Sequence, residues 1–151
     1  MTKKLLLEYE DENPYSYIGI SSSILDYQMI FDLNKNLKLK FQHVDAFKFK
    51  KKGQEFVYSF YVYFDNENMV NYYLISNKNN ANRLVSKFKH LDFFVIVEGE
   101  IVEDEVKELA RNIKQLPRVL FASQLEGDNF DKIKNLRYEF DMHLEKVLKL
   151  L

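Results

Sequence analysis

Apolar residues recur along this chain at two spacings, every second residue and every third or fourth, and the places where one spacing gives way to the other mark out its elements. Leu5, Leu7 and Tyr9 alternate with Lys4, Leu6 and Glu8 as an opening strand, and Tyr15 to Ser21 reads as a second. The period then lengthens. Ser22 or Ser23 is placed to cap a helix from Ile24 to about Leu37, with Asp26 in the first turn, where the positive end of the helix dipole favours an acid. Phe41 to Phe49 is a further strand, irregular near Asp45, that runs into a lysine-rich turn at Gly53.

The strongest pattern follows. Glu55 to Asp65 and Met69 to Ser76 are dense in aromatic and β-branched residues, the composition that packs well on a pleated surface. A tight turn at Asn66-Glu67 would set Phe64 opposite Met69, Phe60 opposite Tyr73 and Tyr61 opposite Tyr72. Asp92 to Glu98 is nearly all apolar and belongs in the middle of a sheet. Val102, Val106, Leu109, Ile113 and Leu116 return to helical spacing, with acids at the start and Pro117 past the end. Val119 to Ser123 reads as a short buried strand, Glu126-Gly127-Asp128 as a turn, and Leu136 to Phe140 as an edge strand. Phe140, Leu144, Val147 and Leu151 then line one face of a closing helix.

Hairpins with helices inserted between strands, rather than after every strand, predict an α+β fold: one layer of mainly antiparallel sheet packed with about three helices. A length of 151 residues fits a single globular domain, with 141–151 as a C-terminal helical extension. The first helix has two apolar stripes. Ile24, Tyr27, Ile30, Phe31 and Leu37 make one, and Leu25, Met29 and Leu33 the other. Such a helix needs cover on two sides, which marks Leu25, Met29 and Leu33 as a candidate interface with a second subunit.

Composition narrows the chemistry. With no Cys, four Gly and three scattered His, the chain has no thiolate, no glycine-rich phosphate loop and no histidine-rich metal motif. No cofactor or metal is expected. Gly19-Ile20-Ser21 resembles half of a nucleophile elbow without its second glycine, and Ser21, His90 and Asp92 would have to converge for an enzyme to exist there. Glu139 and His143 stand at helical spacing, but two ligands do not make a metal centre. Lys3-Lys4-Leu5-Leu6-Leu7 runs into Glu8, Glu10, Asp11 and Glu12, which lacks the apolar core of a secretory signal, so the cytoplasm is the expected compartment and no membrane is involved.

Charge is nearly balanced overall at −1, but not locally. Lys35, Lys38, Lys40, Lys48, Lys50, Lys51 and Lys52 have only Asp45 against them, and Lys78, Arg83, Lys87 and Lys89 form a second run. Phe47 and Phe49 interleave with the first, as base-stacking platforms do. The simpler reading is strand alternation, with the rings in the core and the lysines in water.

From Ile24 onward the chain resembles the IPExxxVDY family, small uncharacterised bacterial proteins of about this length. The resemblance is carried by Asp26-Tyr27, Leu33-Asn34, Tyr72-Tyr73-Leu74-Ile75-Ser76-Asn77-Lys78 and Leu91-Asp92-Phe93-Phe94. Val85-Ser86-Lys87 stands in the I-P-E place and Leu91-Asp92-Phe93 in the V-D-Y place, with Asp92 identical. The family has no assigned activity, so the resemblance implies a bacterial origin and no mechanism. The residues themselves lead to a non-enzymatic, cytoplasmic protein-interaction module, homodimeric through the first helix. The alternative is a weak anion or nucleic-acid binder using Lys48, Lys50, Lys51, Lys52, Arg83, Lys87 and Lys89.

Overall fold

The computed structural model describes residues 14–150 other than 81, 100, 102, 127 and 134. The opening strand read at Leu5, Leu7 and Tyr9, and the positions of Val102, Gly127 and Leu151, lie outside the described residues.

Six strands form one antiparallel sheet: β1 (Tyr15–Ser22), β2 (Gln42–Lys51), β3 (Gln54–Asp65), β4 (Val70–Ser76), β7 (Phe93–Gly99) and β8 (Val119–Leu125). Their spatial order is β2-β3-β4-β7-β1-β8, and each neighbouring pair is antiparallel. Two residue pairs, β5 (Lys78–Asn79) and β6 (Asn82–Arg83), make a separate small ribbon. The main helices are α1 (Asp26–Leu37), α2 (Glu103–Lys114) and α3 (Leu136–Leu150). The fold is α+β, as the alternation of periods predicts.

The strand at the centre explains its own sequence. Because β7 is buried on both faces, Phe93, Val95 and Val97 point to one side while Phe94 and Ile96 point to the other, and no polar alternation is needed. On the first side α1 and α2 supply Met29, Leu33, Val106 and Ile113. The second side is the aromatic one, where Tyr17, Phe47, Phe60 and Tyr73 meet Leu136, Phe140 and Leu144 of α3. Sheet and helices thus make three layers, with α3 as an integral layer rather than an extension.

Several boundaries differ from the sequence reading, each for a local reason. The connection between β3 and β4 takes four residues, with Met69 in the left-handed region at φ 56°, so Asp65 pairs with Val70 and Phe60 with Ile75. Phe64 therefore faces Asn71, Tyr61 faces Leu74, and the expected register is displaced by two. The Asn68 backbone N–H and carboxamide both donate to the Asp65 carboxylate, at 3.2 and 2.8 Å, and hold that wider turn. Leu136 to Phe140 begins α3 instead of forming a strand. Leu136, Phe140, Leu144 and Val147 share a helical face, whereas a strand would have put Tyr138, which is 63% exposed, beside Leu136.

The capping serines also serve elsewhere. Ser22 remains in β1 and its hydroxyl donates to the Arg118 carbonyl at 2.6 Å, while α1 starts at Asp26 behind Leu25, whose N–H donates to the Gln28 side chain at 3.0 Å. Asp26 does lie in the first turn, and accepts from the Tyr61 hydroxyl at 2.9 Å. The irregularity expected at Asp45 is a bulge: the β2–β3 register shifts between Val44 and Phe47. The strand read as short and buried at Val119 to Ser123 is the sheet's outer strand β8.

Candidate functional site

The candidate interface on α1 resolves differently from its expectation. Met29 and Leu33 are fully buried in the chain's own core at 0% exposure, so they are not a surface. Only Leu25 of that trio is open, at 56%, together with Tyr27 at 60% and Phe31 at 61% from the other stripe. The helix turns Met29 and Leu33 inward, together with Ile30, because apolar burial against the sheet is the larger contribution, and the bonds of Asp32 to Arg118 at 3.2 Å and of Tyr61 to Asp26 accompany that orientation. Lys35 lies over the Phe31 ring at 5.6 Å, which leaves that ring half-dressed by its own helix.

The basic residues are brought only partly together. Phe47 and Phe49 are buried, so they are no stacking platform; Lys48 and Lys50 alternate with them on the water side of β2. Two open clefts of about 580 and 460 Å³ separate β2 from α3, and Lys48 lines both. Asp45, Glu139 and Glu55 line the same clefts, so the local charge is balanced. Lys51 is half-buried, and its ammonium donates to the Arg83 carbonyl while burial lowers its pKa. Arg83 in turn donates to the carbonyls of Lys89, at 3.1 Å, and of Asn80. Lys87 donates to Asn129 at 2.7 Å. These cations mostly tie backbone turns.

The residues of the resembling segments form a buried polar hub. Asn77 donates through its carboxamide to the Phe88 and Leu91 carbonyls at 3.0 and 2.9 Å and accepts the Val85 N–H at 2.8 Å. Asp92 accepts the Ser22 N–H at 2.7 Å and pairs with Lys78. Both are conformational fasteners for the 77–92 loop.

Among the described residues no hydrogen bond joins Ser21, His90 and Asp92. Gly19 and Ser21 lie inside β1 rather than at its turn, and both Asp92 oxygens are already engaged. The His90 ring packs edge-on to Phe121 at 6.5 Å. His143 stacks on Phe60 at 5.1 Å and its Nε2 donates to the Asp45 carbonyl at 2.8 Å, so it fastens α3 to the bulge, and burial lowers its pKa. Among the described residues no three His, Asp or Glu side chains gather to hold a metal ion, and no helix is long and apolar enough to cross a membrane.

What stands out instead is the difference between the two sheet edges. A free edge exposes unpaired N–H and C=O groups, and natural proteins block it with bulges, charges or covering elements. The β2 edge has all three: the Asp45–Ala46 bulge, outward Lys48 and Lys50, and α3 reaching over with His143. The β8 edge has a bulge of its own, where the register against β1 shifts between Phe121 and Val119, but among the described residues neither a charge within the strand nor an element covering it. Val-Leu-Phe-Ala-Ser-Gln-Leu carries no charge and no proline over seven residues, and Leu120 is 76% and Phe121 38% exposed. Beside it, a groove of about 520 Å³ separates β8 from α2. Nothing in the run Val119–Leu125 distinguishes an outer strand from an inner one, and for that reason its reading as buried was wrong.

No family model matches the chain, and no curated protein matches it.

Proposed function

We propose that this chain is a non-enzymatic protein-interaction module that works by sheet extension, accepting a strand along the outer edge of β8. The observation that carries the reading is that edge: seven uncharged residues with Leu120 and Phe121 in water, on a protein that closes its opposite edge in three ways. Backbone pairing supplies affinity in this mode, and exposed side chains at alternate positions supply selectivity. A cytoplasmic setting belongs to the same proposal, supported by the absence of cysteine.

The test is a titration of isotope-labelled protein with strand-forming peptides of about seven to ten residues, a span matching a strand, including the Val119–Leu125 sequence itself. Amide shifts concentrated on β8 and β1 are expected, and Leu120→Lys with Phe121→Lys should abolish them. Shifts confined to the clefts between β2 and α3, or no binding by any peptide, would remove the reading.

A second reading has one observation in its favour. Lys51 reaching the Arg83 carbonyl, and Arg83 reaching that of Lys89, bring the two basic runs to one end of the molecule. Binding of an oligonucleotide there must weaken steeply as salt is raised, because counterion release drives it. No binding at low ionic strength ends this alternative.

A further inference from the structure

The end of the sheet where β3 turns into β4 carries a different surface. Tyr63 and Tyr72 are directly opposed across the two strands, stacked with centroids 5.3 Å apart and planes 12° from parallel. Phe41 stands edge-on to Tyr63 at 6.3 Å, held there by Asn34 of α1, which donates to the Phe41 carbonyl at 3.0 Å and accepts its N–H at 2.9 Å. Both tyrosines are half-buried, packed against the core on the α1 and α2 side. Their hydroxyls differ from those of four other tyrosines. Tyr15, Tyr58, Tyr61 and Tyr73 each donate to a carboxylate or a carboxamide, whereas neither Tyr63 nor Tyr72 has a hydroxyl partner among the described residues.

Carboxylates surround these two hydroxyls. After burial itself, Asp65 and Glu67 raise the pKa of Tyr63, and Asp65, Tyr63 and Glu105 that of Tyr72; no cation is among the groups acting on either. Asp65 accepts from Asn68 and has the Lys40 ammonium near it. Three carboxylates against one ammonium leave this shelf at −2. Glu103 of α2 adds nothing, since Lys107 pairs with it at 3.5 Å. The basic runs lie far away: the register puts Asp65 and Gly99 at one end of the sheet and Lys51 at the other, along the twelve residues of β3. Such a strand spans about 40 Å, several times the screening length of about 8 Å in physiological salt, so each end keeps its own sign.

We infer that the shelf of Tyr63 and Tyr72 is a docking surface for a basic segment of a partner protein, seated with an arginine against the two rings and flanked by Asp65, Glu67 and Glu105. An aromatic ring attracts a cation, and guanidinium suits this place because it is planar, weakly hydrated and rich in donors. The shelf presents their complement, three carboxylates and two phenol oxygens that accept. An acidic or wholly apolar occupant would instead leave those carboxylates without partners. The surface is independent of the β8 edge, because β7 and β1 separate β4 from β8.

Titrating the isotope-labelled full chain with a glycine–arginine repeat peptide tests this, since glycine-rich segments pair poorly as strands and leave the β8 edge unengaged. Ring and amide signals of Tyr63 and Tyr72 should shift, and affinity should fall as salt is raised. A peptide with glutamate in place of arginine should leave them unmoved, and a lysine peptide of equal charge should bind about fivefold more weakly. Glu67 and Glu105 are exposed, so Glu67→Lys with Glu105→Lys keeps the fold and should lower affinity for the arginine peptide by about tenfold or more. Tyr63→Leu with Tyr72→Leu should lower it about tenfold while melting stays cooperative. Silence of both tyrosines at low salt overturns the inference, as does an affinity that the charge reversal leaves unchanged. Shifts of the two tyrosines on concentrating the protein alone would put a second copy on the shelf, and shifts on replacing Lys3 and Lys4 with Glu would put the chain's own start there. Either result overturns the partner segment.

Discussion

Asn77 and Asp92 hold one loop by its two ends: the Asn77 N–H donates to the Asp92 carbonyl at 2.9 Å, and the Asn77 carboxamide fastens the loop from inside. The intervening residues run from β4 through the small ribbon to β7, two strands that are neighbours in the sheet. A long connection between adjacent strands is costly in chain entropy unless its backbone groups are satisfied. One buried carboxamide satisfies three of them.

Replacing Asn77 with Ala therefore leaves the Leu91 carbonyl and the Val85 amide without their buried partner, while the Phe88 carbonyl keeps the Leu91 N–H. A loss of about 3 kcal/mol is expected, since each orphaned buried group costs about 1–3 kcal/mol. Urea unfolding checks it: the midpoint should fall with little change of slope. A wild-type midpoint would show that the loop is held from elsewhere.

Gly99 closes β7 with φ at 135°, and a Cβ there would lie 2.6 Å from the Met69 carbonyl oxygen, a backbone atom that cannot swing aside. Gly99→Ala should cost about 2 kcal/mol or more. Gly53 has φ at 80° but open space around it, so Gly53→Ala carries backbone strain alone, about 1–2 kcal/mol. Thermal melting should rank the two in that order.

Phe140 sits between the rings of Tyr15, Phe47, Phe60 and Tyr73, with centroids 5.4, 6.1, 5.7 and 5.6 Å away. Truncating it to Ala should cost about 3–5 kcal/mol, the range for a large buried ring. Removing α3 altogether should leave an aggregating chain, because it uncovers the aromatic face. A soluble, cooperatively melting product without α3 would contradict its place as a full layer.

Stability should fall at both ends of the pH scale. Burial holds His143 neutral in the fold, so the unfolded chain takes up its proton first. That contribution is complete above the ordinary histidine value of about 6.5 and is lost as pH falls below it. The tyrosines act in the opposite sense. Burial pushes Tyr58 up to about 12, and burial with a carboxylate partner raises Tyr15, Tyr61 and Tyr73 well above the usual phenol range. The unfolded chain releases those protons near pH 10, so stability is complete below about 10 and declines as pH rises. His143→Gln should flatten the acid limb of an unfolding-versus-pH curve, and Tyr73→Phe should shallow the alkaline one.

Much of the architecture was legible because periodicity reports burial on one face or two. The unbroken apolar run at Phe93 to Val97 could only be a doubly covered strand, and the spacing of Val106, Ile113 and Leu116 only a helix on a core. The β2 bulge at Asp45 interrupted its alternation visibly. The turn between β3 and β4 misled because Asn66-Glu67 and Asn66 to Met69 are both acceptable connections, and only the pairing of whole strands selects the longer one. Lys48 and Lys50 were readable as solvent-facing, but the side-chain reach of Lys51 to Arg83 joins residues far apart in the chain.

The sequence by itself determined the α+β class, the central strand and the absence of cysteine chemistry, since each follows from residue type and spacing within one segment. Only the tertiary structure decided which side of α1 is core, that Met29 and Leu33 go inward while Tyr27 and Phe31 stay in water, and that Val119–Leu125 is the outermost strand. A segment's own pattern says how much of it prefers burial. What lies beside it is set by strands and helices distant in the chain, and an edge differs from a centre only by a neighbour that is not there.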